Sequence, residues 1–276
     1  MRASKVGRLI AASVRTLACL LVLPLTAYRS PLTAVQIQDN SFLIEEAYNQ
    51  ERGVVQHINT FTRPSGGGSW GYNFTQEWPL GGIRHQLSYT VPIQNDAAGT
   101  GFGDIALNYR HQLIGDPEAA VVFAPRLSFL LPTGDHEAGR GAGGLGLQIN
   151  LPLSLVLTPR LVSHWNAGAT LTPSARSITG NQATTANFNL GASAIWLLRP
   201  SFNLLLETLW LSTESVAAAG TTRDGVVLLN PGIRAAIDLA NDLQIVPGIS
   251  YTFDVSSGSE EDGLFVYLSL EHPFYR

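Results

Sequence analysis

Side-chain alternation with a period of two recurs along this chain in segments of about 10–15 residues, and that length constrains the fold most. In residues 102–114 one face reads Gly103, Ile105, Leu107, Tyr109, His111 and Leu113. The other reads Phe102, Asp104, Ala106, Asn108, Arg110, Gln112 and Ile114. Successive side chains of a strand point to opposite faces, so such a segment is apolar on one side and polar on the other. Strands of soluble proteins average about 5–6 residues, whereas strands that cross a membrane need roughly 9–11. Twelve segments read this way: 53–62, 69–78, 82–93, 101–114, 119–132, 143–156, 160–172, 185–198, 201–213, 224–238, 242–254 and 263–274. An even number is what a single-chain outer-membrane barrel requires.

The breaks between segments carry a second pattern. Pro79-Leu80-Gly81-Gly82, Gly115-Asp116-Pro117-Glu118, Thr158-Pro159, Arg199-Pro200 and Ala240-Asn241 read as tight turns. Between them lie the longer stretches 63–68, 94–100, 133–142, 173–184, 214–223 and 255–262. This predicts an all-β, 12-stranded antiparallel transmembrane β-barrel of outer-membrane type, with short periplasmic turns, longer extracellular loops and both termini periplasmic. Trp70, Trp78, Trp196, Trp210, Tyr251 and Phe253 lie near segment ends, as an interfacial girdle requires.

The head of the chain supplies the address. Arg2, Lys5, Arg8 and Arg15 precede an apolar run, Leu17–Leu25, and small residues offer a cut after Ala27 or after Ala34. Residues 1–27 are therefore expected to be a signal peptide, residues 28–52 a periplasmic N-terminal segment, and residues 53–276 the barrel. Removing residues 1–27 takes away four positive charges and no acid, so the formal charge moves from −4 to −8. An acidic mature protein argues against nucleic acid as a partner. The one cysteine, Cys19, lies in the apolar run, so the exported chain has no disulfide and no Cys-based zinc site.

Three stretches go beyond a generic barrel. "FLIEEAYNQERGVVQH" (42–57), "GFGDIALNYRHQL" (101–113) and "PRLSFLLPTGD" (125–135) resemble the outer-membrane proteins of the meta-pathway of phenol degradation family. The likeness runs over residues 40–276. It implies a barrel acting as a passive channel for small molecules, aromatic ones included, and supplies no catalytic residues. The last segment, ending near Phe274, resembles the strand by which such barrels engage the barrel-assembly machinery.

Inward-facing polar residues are the expected pore lining: Glu77, Arg84, Asp104, Arg110, Arg126, His164, Asn166, Asn189, Glu207, Arg234 and Asp254. Both signs occur, so facing acids and bases are expected to pair across the lumen. Glu45, Glu46 and Glu51 enter from the same end as Arg84 and Arg110, which suggests that residues 40–52 fold across the mouth and pair a glutamate with one of those arginines. A solvent-exposed tether is the plain alternative. Neither a cofactor nor a metal is expected, and Asp135-His136-Glu137 lacks calcium-loop spacing.

A barrel with a closed lumen, serving structure or adhesion, is the first alternative function. A lipid-modifying barrel enzyme is the second. It would need a serine and a histidine within hydrogen-bond reach, and Ser163 and His164 point to opposite faces of one strand. The expected partners are outer-membrane lipid and a small solute.

Overall fold

The computed structural model describes residue 37, residues 41–256 and residues 262–274. The expected signal peptide with its two candidate cuts, and Cys19, lie outside the described residues.

The chain forms a closed, twelve-stranded antiparallel barrel. Its first six strands are β1 (Val54–Pro64), β2 (Trp70–Pro79), β3 (His85–Asp96), β4 (Gly99–Phe102 with Ile105–His111), β5 (Val121–Phe123 with Arg126–Leu131) and β6 (Gly146–Asn150 with Leu153–Thr158). The other six are β7 (Leu161–Arg176), β8 (Gln182–Arg199), β9 (Phe202–Ala217), β10 (Gly220–Ala235), β11 (Gln244–Asp254) and β12 (Gly263–Pro273). Each strand pairs with its neighbours in sequence, and β1 pairs with β12 from Val54↔Pro273 to Pro64↔Gly263. Closure leaves no unpaired edge among the described strands, which is what a sheet in hydrocarbon needs.

The burial pattern is inverted relative to a soluble protein. Leu107, Phe129, Leu147, Trp165, Leu190, Trp196, Leu206 and Ile249 stand exposed on the outer wall. Gln56, Glu77, Gln86, Asn108, Arg110, Asn150, His164, Glu207, Asn230 and Arg234 are buried on the inner one. The outward row is the lipid-facing band that the alternation implies.

Two prolines break the ladder without breaking the barrel. Proline has no N–H to donate, so β5 is interrupted at Ala124-Pro125 and β6 at Leu151-Pro152. The halves re-pair on either side, Val121↔Leu155 below and Arg126↔Asn150 above.

The connections depart from the expected alternation of short and long. The expected loops 94–100, 173–184 and 214–223 shrink to 97–98, 177–181 and 218–219. Residues of these stretches continue the ladder instead, as in Asn95↔Thr100, Arg176↔Gln182 and Ser215↔Thr222. Threonine and asparagine alternation beyond the apolar band still suits a pleated sheet. At the other end, the expected turn 115–118 widens to 112–120. The loop 132–145 is laced down: Asp104 accepts N–H bonds from Gly134 (3.0 Å) and Ala142 (2.7 Å), and Arg140 pairs with Asp96 at 2.8 Å.

Candidate functional site: a chain segment seated in the lumen

Residues 41–50 have no regular secondary structure, yet nearly all are buried. They run around the inner wall and finish at the start of β1. Backbone N–H groups taken out of water need partners, and the wall supplies them as side chains from successive strands. Glu207 on β9 accepts from Phe42 (2.9 Å), Leu43 (3.0 Å) and Ile44 (3.1 Å). Asn166 on β7 accepts from Glu45 N–H and donates to Glu45 O, both at 2.8 Å. Ser154 on β6 accepts from Ala47 at 2.8 Å. Gln112, just beyond β4, accepts from Asn49 at 3.1 Å, and Gln86 on β3 accepts from Gln50 at 2.7 Å. The wall thus takes the place of a neighbouring strand.

Charge holds the middle of the segment. The Glu45 carboxylate lies between Arg126 (2.9 Å) and Arg110 (3.2 Å) and accepts from Asn150 at 2.8 Å. Arg110 also donates to Glu46 O (3.1 Å), Tyr48 O and Asn49 Oδ1 (2.7 Å). Behind it Glu77 stands 3.7 Å away and accepts from Gln86 at 2.6 Å. At the leading end Arg234 donates to Ile37 O at 3.2 Å.

Apolar anchors complete the seat. The Phe42 ring packs 5.5 Å from both Phe265 and Tyr267. Beneath it Gly232 and Gly248 leave room that no other residue would leave. A Cβ on Gly248 would press into the Phe42 ring, which its aromatic neighbours Phe265 and Tyr267 hold in place. Gly248→Ala is expected to lift Phe42 from its slot and cost the docked state about 1–3 kcal/mol, the usual penalty of overpacking. Faster amide exchange at residues 42–44 checks this; unchanged exchange contradicts it.

The sequence-derived site residues divide. Glu77, Arg110, Arg126, His164, Asn166, Glu207 and Arg234 all lie on the inner wall, at or beside the docked segment. Arg84 does not: it is exposed in the turn before β3, where its carbonyl accepts from Gln112. Glu45 meets Arg126 in its place, because β5 lies beside β4 with Arg110 opposite Arg126. Asp104 belongs to the anchoring of loop 132–145. Glu46 is buried and Glu51 exposed. Asp135 caps a short turn by accepting from Glu137 and Ala138. The neutral acceptors Gln86, Gln112, Asn150 and Ser154 were missed, although alternation places each on an inward face.

A serine and a histidine do come within reach, though not the pair considered above. Ser154 Oγ lies 2.7 Å from His164 Nδ1. Both are buried beneath the segment, and Ser154 Oγ already accepts from Ala47. With the hydroxyl proton directed to His164, the pair fastens the segment to the wall.

Glu45 makes the seat sensitive to acid. Burial opposes its ionisation, but the Arg126 and Arg110 guanidiniums and the Asn150 amide outweigh burial and hold its carboxyl below the usual glutamate range. A lowered carboxylate stabilises the docked state in full above its unfolded value of about 4.3, and ever less as pH falls through its own lower value. The segment should therefore stay seated at neutral pH and loosen in strong acid, read by amide exchange at residues 45–50. Tighter docking on acidification would contradict this.

Fold and site together define a porin-like barrel of outer-membrane type with a chain segment docked in its lumen. The family described as "Putative MetA-pathway of phenol degradation" matches residues 35–268, and the chain belongs to it. No curated protein matches the sequence. Among solved structures, an outer membrane channel from Pseudomonas putida F1 is similar, with a TM-score of 0.57 at 10% identity over 83% of this chain and 98% of that one. The NanC porin gives 0.54 at 8% identity, over 80% of this chain and 100% of its own. The KdgM porin gives 0.50 at 6% identity, over 80% and 99%. At these identities the likeness is one of fold.

Proposed function

We propose that this protein is an outer-membrane channel for passive passage of small, uncharged solutes, aromatic or apolar ones among them, with residues 41–50 forming its constriction. The observation that carries the reading is how the lumen distributes charge. Glu45, Glu77, Arg110, Arg126, Glu207 and Arg234 gather at the level of the segment and are engaged there. Beyond that level, the inward faces of β1 to β3 carry neutral Thr60, Asn73, Thr75 and Thr90, and the charges of Asp96 and Arg140 at the loop end are paired with each other. Across from them Leu209 and Leu228 pack with Ile44, flanked by Leu211 and Val226. A lumen polar but neutral on one side and apolar on the other suits amphiphilic neutral solutes better than ions.

In this reading residues 1–27 direct export, the ends of β1 and β12 nearest the termini face the periplasm, and β12 is offered to the assembly machinery. The sealed Ser154–His164 pair supports a role without covalent chemistry. A closed structural barrel is the competing reading, favoured by the near-complete burial of residues 41–50. Liposome swelling separates the two: refolded protein should admit small neutral solutes faster than charged ones of equal size. Flux no greater than in protein-free liposomes, together with no conductance, would overturn the channel.

A further inference from the structure

Four of the chain's six histidines stand in two cross-strand pairs on the outer wall, at the rim where β1 begins. The seating of residues 41–50 uses neither pair. His85 on β3 and His111 on β4 face each other in register, with Nδ1 atoms 3.1 Å apart and ring centroids at 4.6 Å. The Tyr109 hydroxyl lies 2.7 Å from the same His85 nitrogen. The His111 nitrogen and the Tyr109 oxygen thus both lie within hydrogen-bond reach of His85 Nδ1. A neutral ring nitrogen holds either a proton or a lone pair, so His85 Nδ1 satisfies one of its two neighbours at a time. A cation placed among them satisfies all three.

We propose that His85, Tyr109 and His111 bind a divalent ion of the late transition series, of the Zn²⁺, Ni²⁺ or Cu²⁺ class. Imidazole nitrogen selects that class, whereas Mg²⁺ and Ca²⁺ demand oxygen. Two nitrogens about 2.0–2.1 Å from a tetrahedral ion stand about 3.3–3.4 Å apart, so the observed pair needs only a small opening to take one. All three side chains are partly exposed at the barrel rim, which leaves the site open to an entering ion. No group of three His, Cys, Asp or Glu forms among the described residues, so the phenol oxygen is what completes a third ligand here. The second pair, His57 and His272, has Nε2 atoms 3.3 Å apart, and His272 Nδ1 lies 3.0 Å from Pro273 O. With two ligands it ranks as the weaker site. The ion would clip β3 to β4 on the outside of the wall whose inner face carries Gln86 and Arg110, two of the residues that seat the segment.

The test uses full-length protein without a histidine tag, folded in detergent micelles and titrated with Zn²⁺ by calorimetry. Cu²⁺ spectra then report nitrogen ligation. The wild type should show one tightest equivalent of Zn²⁺, weakened at least tenfold in His85→Gln or His111→Gln and less in Tyr109→Phe. His57→Gln with His272→Gln should leave it in place. Heat-modified gel mobility establishes that each variant is folded, and the single glutamine variants keep the test open if a double variant fails to fold. Three results would overturn the proposal: no Zn²⁺ binding above the micelle blank, binding that survives loss of His85 and His111, or binding lost only with His57 and His272.

Discussion

Arg110→Ala is expected to unseat residues 45–49 while leaving the barrel folded. The guanidinium contacts Glu45, Glu46 O, Tyr48 O and Asn49, and faces Glu77, at only 2% exposure. Its loss leaves Glu45 with Arg126 as its guanidinium partner and takes from buried Glu77 the guanidinium it faces. Breaking a buried pair by deleting one partner costs about 3–5 kcal/mol. Amide exchange at residues 45–50 should accelerate roughly 100-fold or more, since about 1.4 kcal/mol is a factor of ten. Arg110→Lys should fall between, because a point charge cannot reproduce bonds from three guanidinium nitrogens. The wall ladders do not involve the Arg110 side chain, so heat-modified mobility should not change. Wild-type exchange rates in Arg110→Ala would show that Arg110 does not hold the segment.

The second large effect is expected at Glu207. One buried carboxylate accepts three consecutive backbone N–H groups, Phe42 to Ile44, and is itself held by Asn230 at 2.6 Å. Glu207→Ala strands those three donors away from water. Each unsatisfied buried donor costs about 1–3 kcal/mol, so the sum exceeds what the Phe42 slot can offset. Chymotrypsin should then cleave after Phe42, a bond the wild-type lumen protects. Glu207→Gln retains one acceptor oxygen and should be cleaved more slowly. Equal protection in wild type and Glu207→Ala would mean that the segment is held mainly by its charged middle and by Phe42.

The strands were legible because alternation is a local property. All twelve strands appear, and Leu147, Tyr109 and Ile249 stand where their parity puts them, whereas Phe102, placed on the polar face, is exposed because the strand is interrupted at Gly103-Asp104. Strand ends on the side of loop 132–145 were not legible. There Arg176, Gln182, Ser215 and Thr222 look like loop by composition, and only pairing to a partner makes them strand. The site was half legible. Parity shows that Glu77, Arg110, Arg126 and Glu207 face inward. It does not show which of them share a height, because strand tilt and stagger set that jointly for the whole barrel. One of Glu45, Glu46 and Glu51 was therefore expected at Arg84 or Arg110, and the register brings Glu45 to Arg110 and Arg126. The glutamines and asparagines were overlooked for a different reason. Their task is to accept backbone N–H groups from a segment with no strand pattern, and such a segment does not announce its need in sequence.

Single-channel recording in planar bilayers, comparing the intact protein with one lacking residues 40–50, tests the central claim most directly. Deletion removes the constriction and frees Arg110, Arg126 and Glu207 to line an open lumen, so conductance should rise several-fold. It should also become sensitive to the sign of the permeant ion. Equal conductance and equal selectivity in the two proteins would contradict the account.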